Sequence, residues 1–416
     1  MKILFLSQRF PYPPDKGDKL RSFNIIKFLS RNHEISLVCL TDTVTDLTLN
    51  GELGAYCHSV DVVYHPKGRS RLSTLAGLFS PKPLTVSYFR SRKLKALVDR
   101  KLRSERYDLI FVYCSSMAQY VDYVRNCPVF IDFVDVDSEK WRQYSHFSQF
   151  PMNFVYQLEA YRLQKYERRL SGLFRHCLFV SEKEAEDFRV LAAPGASVVS
   201  IANGVDGSTF TPSTDPYNQH AVVFTGAMDY FANVEAVLYF VEQIMPLILK
   251  RIPKLVFYIV GSKPGKDICR LTGKYSNIIV TGHVESVRPF VIQSSVFVAP
   301  MRIARGVQNK ILEAMAMGVP VVTTSLGFEG LSATPGKDIF VENDPEAFAG
   351  QVIRLMTNPQ LRLSTSLNAR KAVDTFYDWQ SNLSSLDSLL ATVDTSGKAV
   401  DANYQPITTT GDYYGY

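Results

Sequence analysis

Lys310 and Glu313 stand three residues apart in the stretch 298–324, VAPMRIARGVQNKILEAMAMGVPVVTT. On a helix that spacing makes them neighbours. Gly306, at the helix entrance, lets a ligand approach the free N–H groups of the first turn. Together these groups form a cradle for an anion and a sugar. The N–H groups and Lys310 hold phosphate, and Glu313 accepts two hydroxyls of a ribose. A solvated Lys–Glu pair on a βαβ unit is the plainer reading, and such surface pairs contribute little. Arg302 and Arg305 place further positive charge beside Gly306.

A second group is Asp132, Asp135, Asp137 and Glu139. Carboxylates so spaced at a strand end can bind a metal or act as acid and base. They serve equally as helix caps, because Asp and Ser are favoured at N-caps. Capping accounts for one of them and leaves Asp132 and Asp135 over. A third group, Lys16, Lys19 and Arg21, surrounds Gly17 after the stiff segment QRFPYPPD. Its positive charge lines the place where the crevice of a doubly wound sheet opens, though a Pro-rich connection is also often passive. The segment lacks G-x-G-x-x-G, which disfavours a dinucleotide site and with it an NAD-linked oxidoreductase.

The elements that must position these groups follow from apolar runs and turn signals. Strands are predicted over 2–7, 34–41, 60–64, 108–114, 129–134, 176–180 and 198–201. A second series follows at 221–225, 255–260, 277–281, 296–299 and 319–323. Helical stretches lie between them, including 20–30, 88–102 and 233–251. In the central stretch Val307, Ile311, Leu312 and Met315 fall on one side of a helix, with Lys310 and Glu313 opposite. Strands alternating with helices predict an α/β chain with two doubly wound, Rossmann-like domains. Gly226, Gly261 and Gly282 close successive strands of the second series, where a planar base can approach the backbone.

The 416 residues suffice for two domains, and 46% hydrophobic with 21% charged residues is a globular composition. No run of eighteen apolar residues occurs: 234–249 is interrupted by Glu235, Glu242, Gln243 and Pro246. The N-terminal apolar run at 3–6 is too short for a signal peptide. Six cysteines without a C-x-x-C pair fit a reduced, cytoplasmic protein, and seven histidines without H-x-x-x-H give a zinc hydrolase no support. The net charge of +6 is uneven: twelve Lys/Arg stand against Asp99 and Glu105 in 67–106. Interleaved with Leu78, Phe79 and Tyr88, that segment suits an anionic membrane surface as well as a solvated face. The usual nucleic-acid motifs do not occur, so no nucleic-acid partner is expected.

KILEAMAMGVPVV closely resembles the signature of the family 4 glycosyltransferases, and N-G-V-D-x-x-x-F-x-P at 203–212 resembles the link between their halves. P-P-D-K-G-D-K-x-R at 13–21 is similar to a bacterial subgroup of sugar transferases found with exosortase and exopolysaccharide systems. The resemblance covers about residues 1–393. It implies a GT-B fold, two such domains facing across a cleft, and hexose transfer with retention from a UDP- or GDP-linked sugar. The acceptor is then lipid-linked or a polysaccharide, in cell-surface polysaccharide synthesis, with no cofactor and no metal.

The implied domains are an acceptor-side domain at 1–212, a donor domain at 213–375, a helix crossing back at 376–393 and a disordered tail at 394–416. The donor set is Gly17, Gly226, Gly261, His283, Val284, Arg302, Arg305, Gly306, Val307 and Glu313. Asp135 and Lys310 are the catalytic candidates, and Lys16, Lys19 and Arg21 form the acceptor or phosphate loop. The implied location is cytoplasmic, peripheral on the inner face of the plasma membrane through 67–106. Three departures from the family pattern stand out. Arg305 replaces a glutamate, 226–233 lacks an Arg and a Lys, and no histidine occurs between His65 and His146. The first two favour an alternative, an inactive GT-B protein that only binds a sugar nucleotide, and the third passes the histidine's role to Asp135.

Overall fold

The computed structural model describes all residues except 15–16, 69, 71–73, 75–76, 79 and 394–416. Lys16, Phe79 and the tail expected to be disordered therefore lie outside the described residues. Two compact units account for the chain: Met1–Ala202 with Leu383–Tyr416, and Asn203–Asn382.

The first unit holds β1 Lys2–Ser7, β2 Glu34–Thr41, β3 Ser59–Tyr64, β4 Leu109–Tyr113, β5 Val129–Val134, β6 His176–Phe179 and β7 Val198–Ser200. They form one parallel sheet in the order β3-β2-β1-β4-β5-β6-β7. Its central strands are almost continuously apolar because helices cover both faces. Ile3, Leu4, Phe5 and Leu6 in β1, and Leu109, Ile110, Phe111 and Val112 in β4, have no exposed surface.

The second unit repeats the plan with β8 Asn218–Thr225, β9 Val256–Val260, β10 Ile278–Gly282, β11 Ser294–Ala299, β12 Val321–Thr323 and β13 Phe340–Val341. This parallel sheet runs β10-β9-β8-β11-β12-β13. Strand order reverses between β1 and β4 in one unit and between β8 and β11 in the other. At such a switch point the carboxyl ends of neighbouring strands open a crevice. Both units are doubly wound Rossmann-like α/β domains.

The helical segment 231–249 is the one described helix long and apolar enough to cross a membrane. Here it is a core helix: Ala236, Val237, Phe240, Val241, Ile244, Met245 and Ile248 are fully buried. The Phe240 ring lies 4.7 Å from that of Phe257 on β9.

Three local expectations differ from the structure. The helix expected at 88–102 is two helices, Leu84–Tyr88 and Arg92–Ser104. Ser91 ends the first run and starts the second by accepting a hydrogen bond from Leu94 N. The second unit begins at Asn203, the start of the N-G-V-D string, so 203–212, expected in the first domain, belong to the second unit. The reason is local bonding: Val205 N donates to Tyr377 O at 2.8 Å, and Arg370 Nη1 to Phe210 O at 3.1 Å. Finally, β13 has only two residues, too few to show a period.

Candidate functional site

The helix of the central stretch is Asn309–Ala316. Ile311, Leu312 and Met315 are fully buried on its inner side. Val307, expected on that face, precedes the helix and is half-buried. Gly318, at φ +68°, ends the helix: Gly318 N donates to Met315 O and Val319 N to Ala314 O, each at 3.0 Å. The helix thus starts beside the carboxyl end of β11, next to that of β8, at the switch point of the second sheet.

Lys310 is not a solvated surface group. It is half-buried, its Nζ lies 4.6 Å from the centroid of the Phe224 ring on β8, and it donates to Asn233 Oδ1. Asn233 is 5% exposed and in turn donates from Nδ2 to Ala227 O at 3.0 Å. One side chain therefore closes the loop after β8 and seats the lysine in it. Burial pushes Lys310 down to about 7, against the pull of Glu313. Burial also lifts Glu313 to about 7, against the pull of Lys310. The pair is poised to change protonation when an anion or a set of hydroxyls arrives.

The other cations near Gly306 are engaged with acids. Arg302 Nε donates to Glu235 Oε1 at 2.6 Å, and its guanidinium stacks 4.3 Å from the Tyr239 ring. Arg305, with its side chain 8% exposed, pairs through Nη1 with Glu329 Oε1 at 3.3 Å. Gly306 is buried at φ +63°, a conformation that favours glycine.

The glycines at the strand ends differ in what they accommodate. A Cβ on Gly261, at φ +154°, would lie 1.7 Å from Gly226 O, and one on Gly226 would lie 2.6 Å from Asn233 Nδ2. Close packing of the turns after β8 and β9 accounts for glycine at both. Gly282, at φ +70° after β10, has open space around its Cβ position. His283, which follows it, is exposed, and Val284 is half-buried.

In the first unit the residues expected to act together fall into separate roles. Gly17 begins the helix Gly17–Leu29 and is exposed. Lys19 is buried. Arg21 is no loop cation: it is 1% exposed, its Nε bonds Asp132 Oδ2 at 2.8 Å, and its Nη1 donates to Ile201 O at 2.8 Å. Asp132, fully buried, also accepts from Val134 N at 3.0 Å. This pair ties β5 to the first helix and to the end of β7, which removes Arg21 from the phosphate loop and explains Asp132.

Val134 stands at φ +70°, unusual for a β-branched residue, at the carboxyl end of β5. Asp135 follows, with its Oδ1 buried and without a hydrogen-bond partner among the described residues. Burial and the Glu184 carboxylate raise Asp135 to about 7. The helix Asp137–His146 is not capped by its own aspartates. Glu184 accepts from Val136 N at 2.7 Å, and Glu167 accepts from Ser138 N at 3.1 Å and Ser138 Oγ at 2.6 Å. Asn233, Glu329, Glu184 and Glu167 were not legible as partners. Asn233 alone carried a signal, as a polar residue at a helix start.

The cations of 67–106 are partly neutralised. Lys67 pairs with Asp42 at 3.1 Å, Lys95 with Asp99 at 2.5 Å and Lys101 with Asp61 at 2.7 Å. Lys82, Arg90, Arg92 and Lys93 are exposed.

Known proteins resemble this chain in sequence and fold. The chain is 24% identical over 409 residues to an uncharacterized 44.6 kDa protein in the cps region of Klebsiella pneumoniae, covering 92% of this chain and 98% of that one. It is 28% identical over 183 residues to the putative teichuronic acid biosynthesis glycosyltransferase TuaC of Bacillus subtilis, covering 41% of this chain and 43% of TuaC. Anabaena HepE, solved with UDP and glucose, superposes with a TM-score of 0.67 at 16% identity, covering 94% of this chain and all of HepE. Residues 219–358 match the family described as glycosyl transferases group 1. That span contains all of β8 but its first residue, β9 to β13, Asn233, Lys310 and Glu313, so the second unit is similar to the glycosyl transferases group 1, in a chain with the GT-B fold.

Proposed function

We propose that the protein transfers a hexose, with retention and without a metal, from a UDP- or GDP-linked sugar to a lipid-linked or polysaccharide acceptor. Its place is the cytoplasmic face of the membrane, in synthesis of a cell-surface polysaccharide. The observation that carries this reading is Lys310, seated by Asn233 over Phe224 at the switch point, one helical turn from Glu313. A nucleoside diphosphate sugar brings negative charge to the start of that helix, and its leaving diphosphate gains more as the glycosidic bond breaks. The helix N-terminus supplies roughly half a charge. Lys310 supplies a whole one, and binding the anion draws it to the ammonium form. Glu313 accepts ribose hydroxyls. Gly226, Gly261, His283 and Val284 hold the base side, with Gly306, Val307 and Arg305 around the phosphates and hexose. In the first unit Asp135, carrying a proton near neutrality, and Gly17 with Lys16 and Lys19 serve the acceptor side.

The relatives agree in kind, one named for a cps region and another for teichuronic acid synthesis, and HepE was solved with UDP and glucose. A binding protein without turnover is the second reading, favoured by Arg305 where the family 4 pattern often has a glutamate. A thermal-shift screen over nucleotide sugars tests the site, because a bound donor raises the unfolding midpoint by mass action. We expect one UDP- or GDP-sugar to raise it and Glu313→Ala to abolish the rise. Release of UDP or GDP on adding acceptor then selects the enzyme, and binding without any release selects the second reading.

A further inference from the structure

Sixteen consecutive residues between Arg142 and Glu159 contain no Asp, Glu, Lys or Arg. They comprise the turn 147–151 of a helical hairpin and the adjoining ends of its arms, Asp137–His146 and Met152–Ser171. The base of the hairpin is packed: the Trp141 ring lies 5.1 Å from Tyr156 and 5.7 Å from Tyr144. The turn itself carries its apolar side chains outward. Phe150 is 83% exposed, Phe154 63%, Met152 43% and Phe147 42%. Single exposed apolar residues are ordinary, but four within eight residues on a rigid base form a patch that needs an occupant.

Charge around the patch identifies that occupant. Along the long arm, Phe154, Tyr161, Lys165 and Arg168 are all exposed. Their spacing runs from aromatic at the tip to cationic about 21 Å further along the axis. Lys165 Nζ sits 4.5 Å from the Tyr161 ring, its stem along the aromatic face. The segment bearing exposed Lys82, Arg90, Arg92 and Lys93 is fastened to the same arm. Glu159 accepts from Leu84 N at 2.5 Å and Thr85 N at 2.8 Å, while Arg162 donates to Gly77 O and Leu78 O at 3.1 Å each. An apolar aromatic tip without charges, backed by cations on the elements beside it, complements a bilayer interface with anionic headgroups. Within the turn Asn153 Oδ1 already accepts from Phe154 N at 2.7 Å, and the exposed Gln149 beside it can bond water or headgroups.

We propose that residues 147–154 insert into the interfacial layer of an anionic bilayer, with the cations of the long arm and of 82–93 resting on its headgroups. The apolar anchor is thus a different segment from the basic stretch that composition alone points to, and the two act together. The test sediments the full chain with phosphatidylcholine vesicles, with and without phosphatidylglycerol. Phe150→Ser with Phe154→Ser should lower partitioning on anionic vesicles at least about tenfold. Arg92→Glu with Lys93→Glu should lower it there too, while removing much of its salt dependence. In a third variant, Phe150→Trp, the emission should shift to the blue when anionic vesicles are added. All these positions are exposed, so circular dichroism should be unchanged, and no readout depends on donor or turnover. Equal sedimentation of the wild type and the double serine variant would overturn the proposal. So would a Phe150→Trp emission indifferent to vesicles, or a dimer in solution that the serine pair dissociates, which would make a second copy the occupant.

Discussion

At the scale of single residues, burial has set two pKa values near neutrality beside one another, and that gives donor binding a proton signature. Lys310 is pushed down to about 7 by desolvation, so above that pH much of it is neutral in the free protein. A bound diphosphate favours the ammonium, and binding must then take up a proton. Glu313 is raised to about 7, so below that pH much of it is protonated. Hydroxyls donating to its oxygens favour the carboxylate, and binding must then release a proton. Calorimetry of UDP and GDP binding in buffers of different ionisation enthalpy should therefore show release at about pH 6 and uptake at about pH 8. Lys310→Ala should erase the uptake and keep the release. Heats independent of buffer at both pH values would remove the pair from the phosphate and ribose sites. The Lys310–Glu313 spacing was legible because helical geometry is local. The role of Arg21 was not, because its partner Asp132 is 111 residues away and a residue type does not announce its burial. Asn233 hid for a similar reason: a polar residue at a helix start reads as a cap whether or not a lysine sits on it.

At the scale of elements, the turns after β8 and β9 are locked together by the absence of two side chains. A Cβ at Gly261 would overlap Gly226 O at 1.7 Å, whereas at Gly282 it would meet nothing within 4 Å. Gly282→Ala should therefore cost only its positive-φ penalty, about 1 kcal/mol. Gly261→Ala must displace a backbone carbonyl and should cost about 2–4 kcal/mol. Because the displaced turn leads into Asn233, it should also weaken nucleotide binding through Lys310, which Gly282→Ala should not do by that route. Urea unfolding with a nucleotide thermal-shift assay measures both, and equal losses in the two variants would refute the packing argument. Long buried strands were legible from their apolar runs, and so were the glycines that end them. What each glycine faces was not, since the contact is between turns 35 residues apart in sequence. The caps of the helix Asp137–His146 show the same limit. Aspartates stand where a local cap belongs, yet Glu184 and Glu167, brought in by other helices, bond its first turn.

At the scale of the whole molecule, the chain leaves its first unit after Ala202 and returns to it at Leu383. The first unit is thus built from both ends of the described chain, and the second from an uninterrupted segment. The returning segment is not an appendage. Leu383 and Leu386 are 1% exposed and Leu390 4%, and Thr392 O accepts from Arg175 Nη2 at 2.9 Å while its Oγ1 lies 3.3 Å from His176 Nε2. Burying three leucines contributes about 5–9 kcal/mol, an upper figure because an unfolded chain hides part of that surface already. A domain's whole stability is about 5–15 kcal/mol. Ending the chain at Asn382 should therefore abolish or greatly lower the unfolding transition of the first unit. The second unit keeps its sheet and its Lys310–Asn233 contact, so its own transition and the upward shift caused by UDP or GDP should persist. Calorimetry of the full and shortened chains with and without nucleotide separates the two. If shortening lowers both transitions together, or removes the nucleotide shift while a folded second unit remains, the units are not independent in the way their chain path implies.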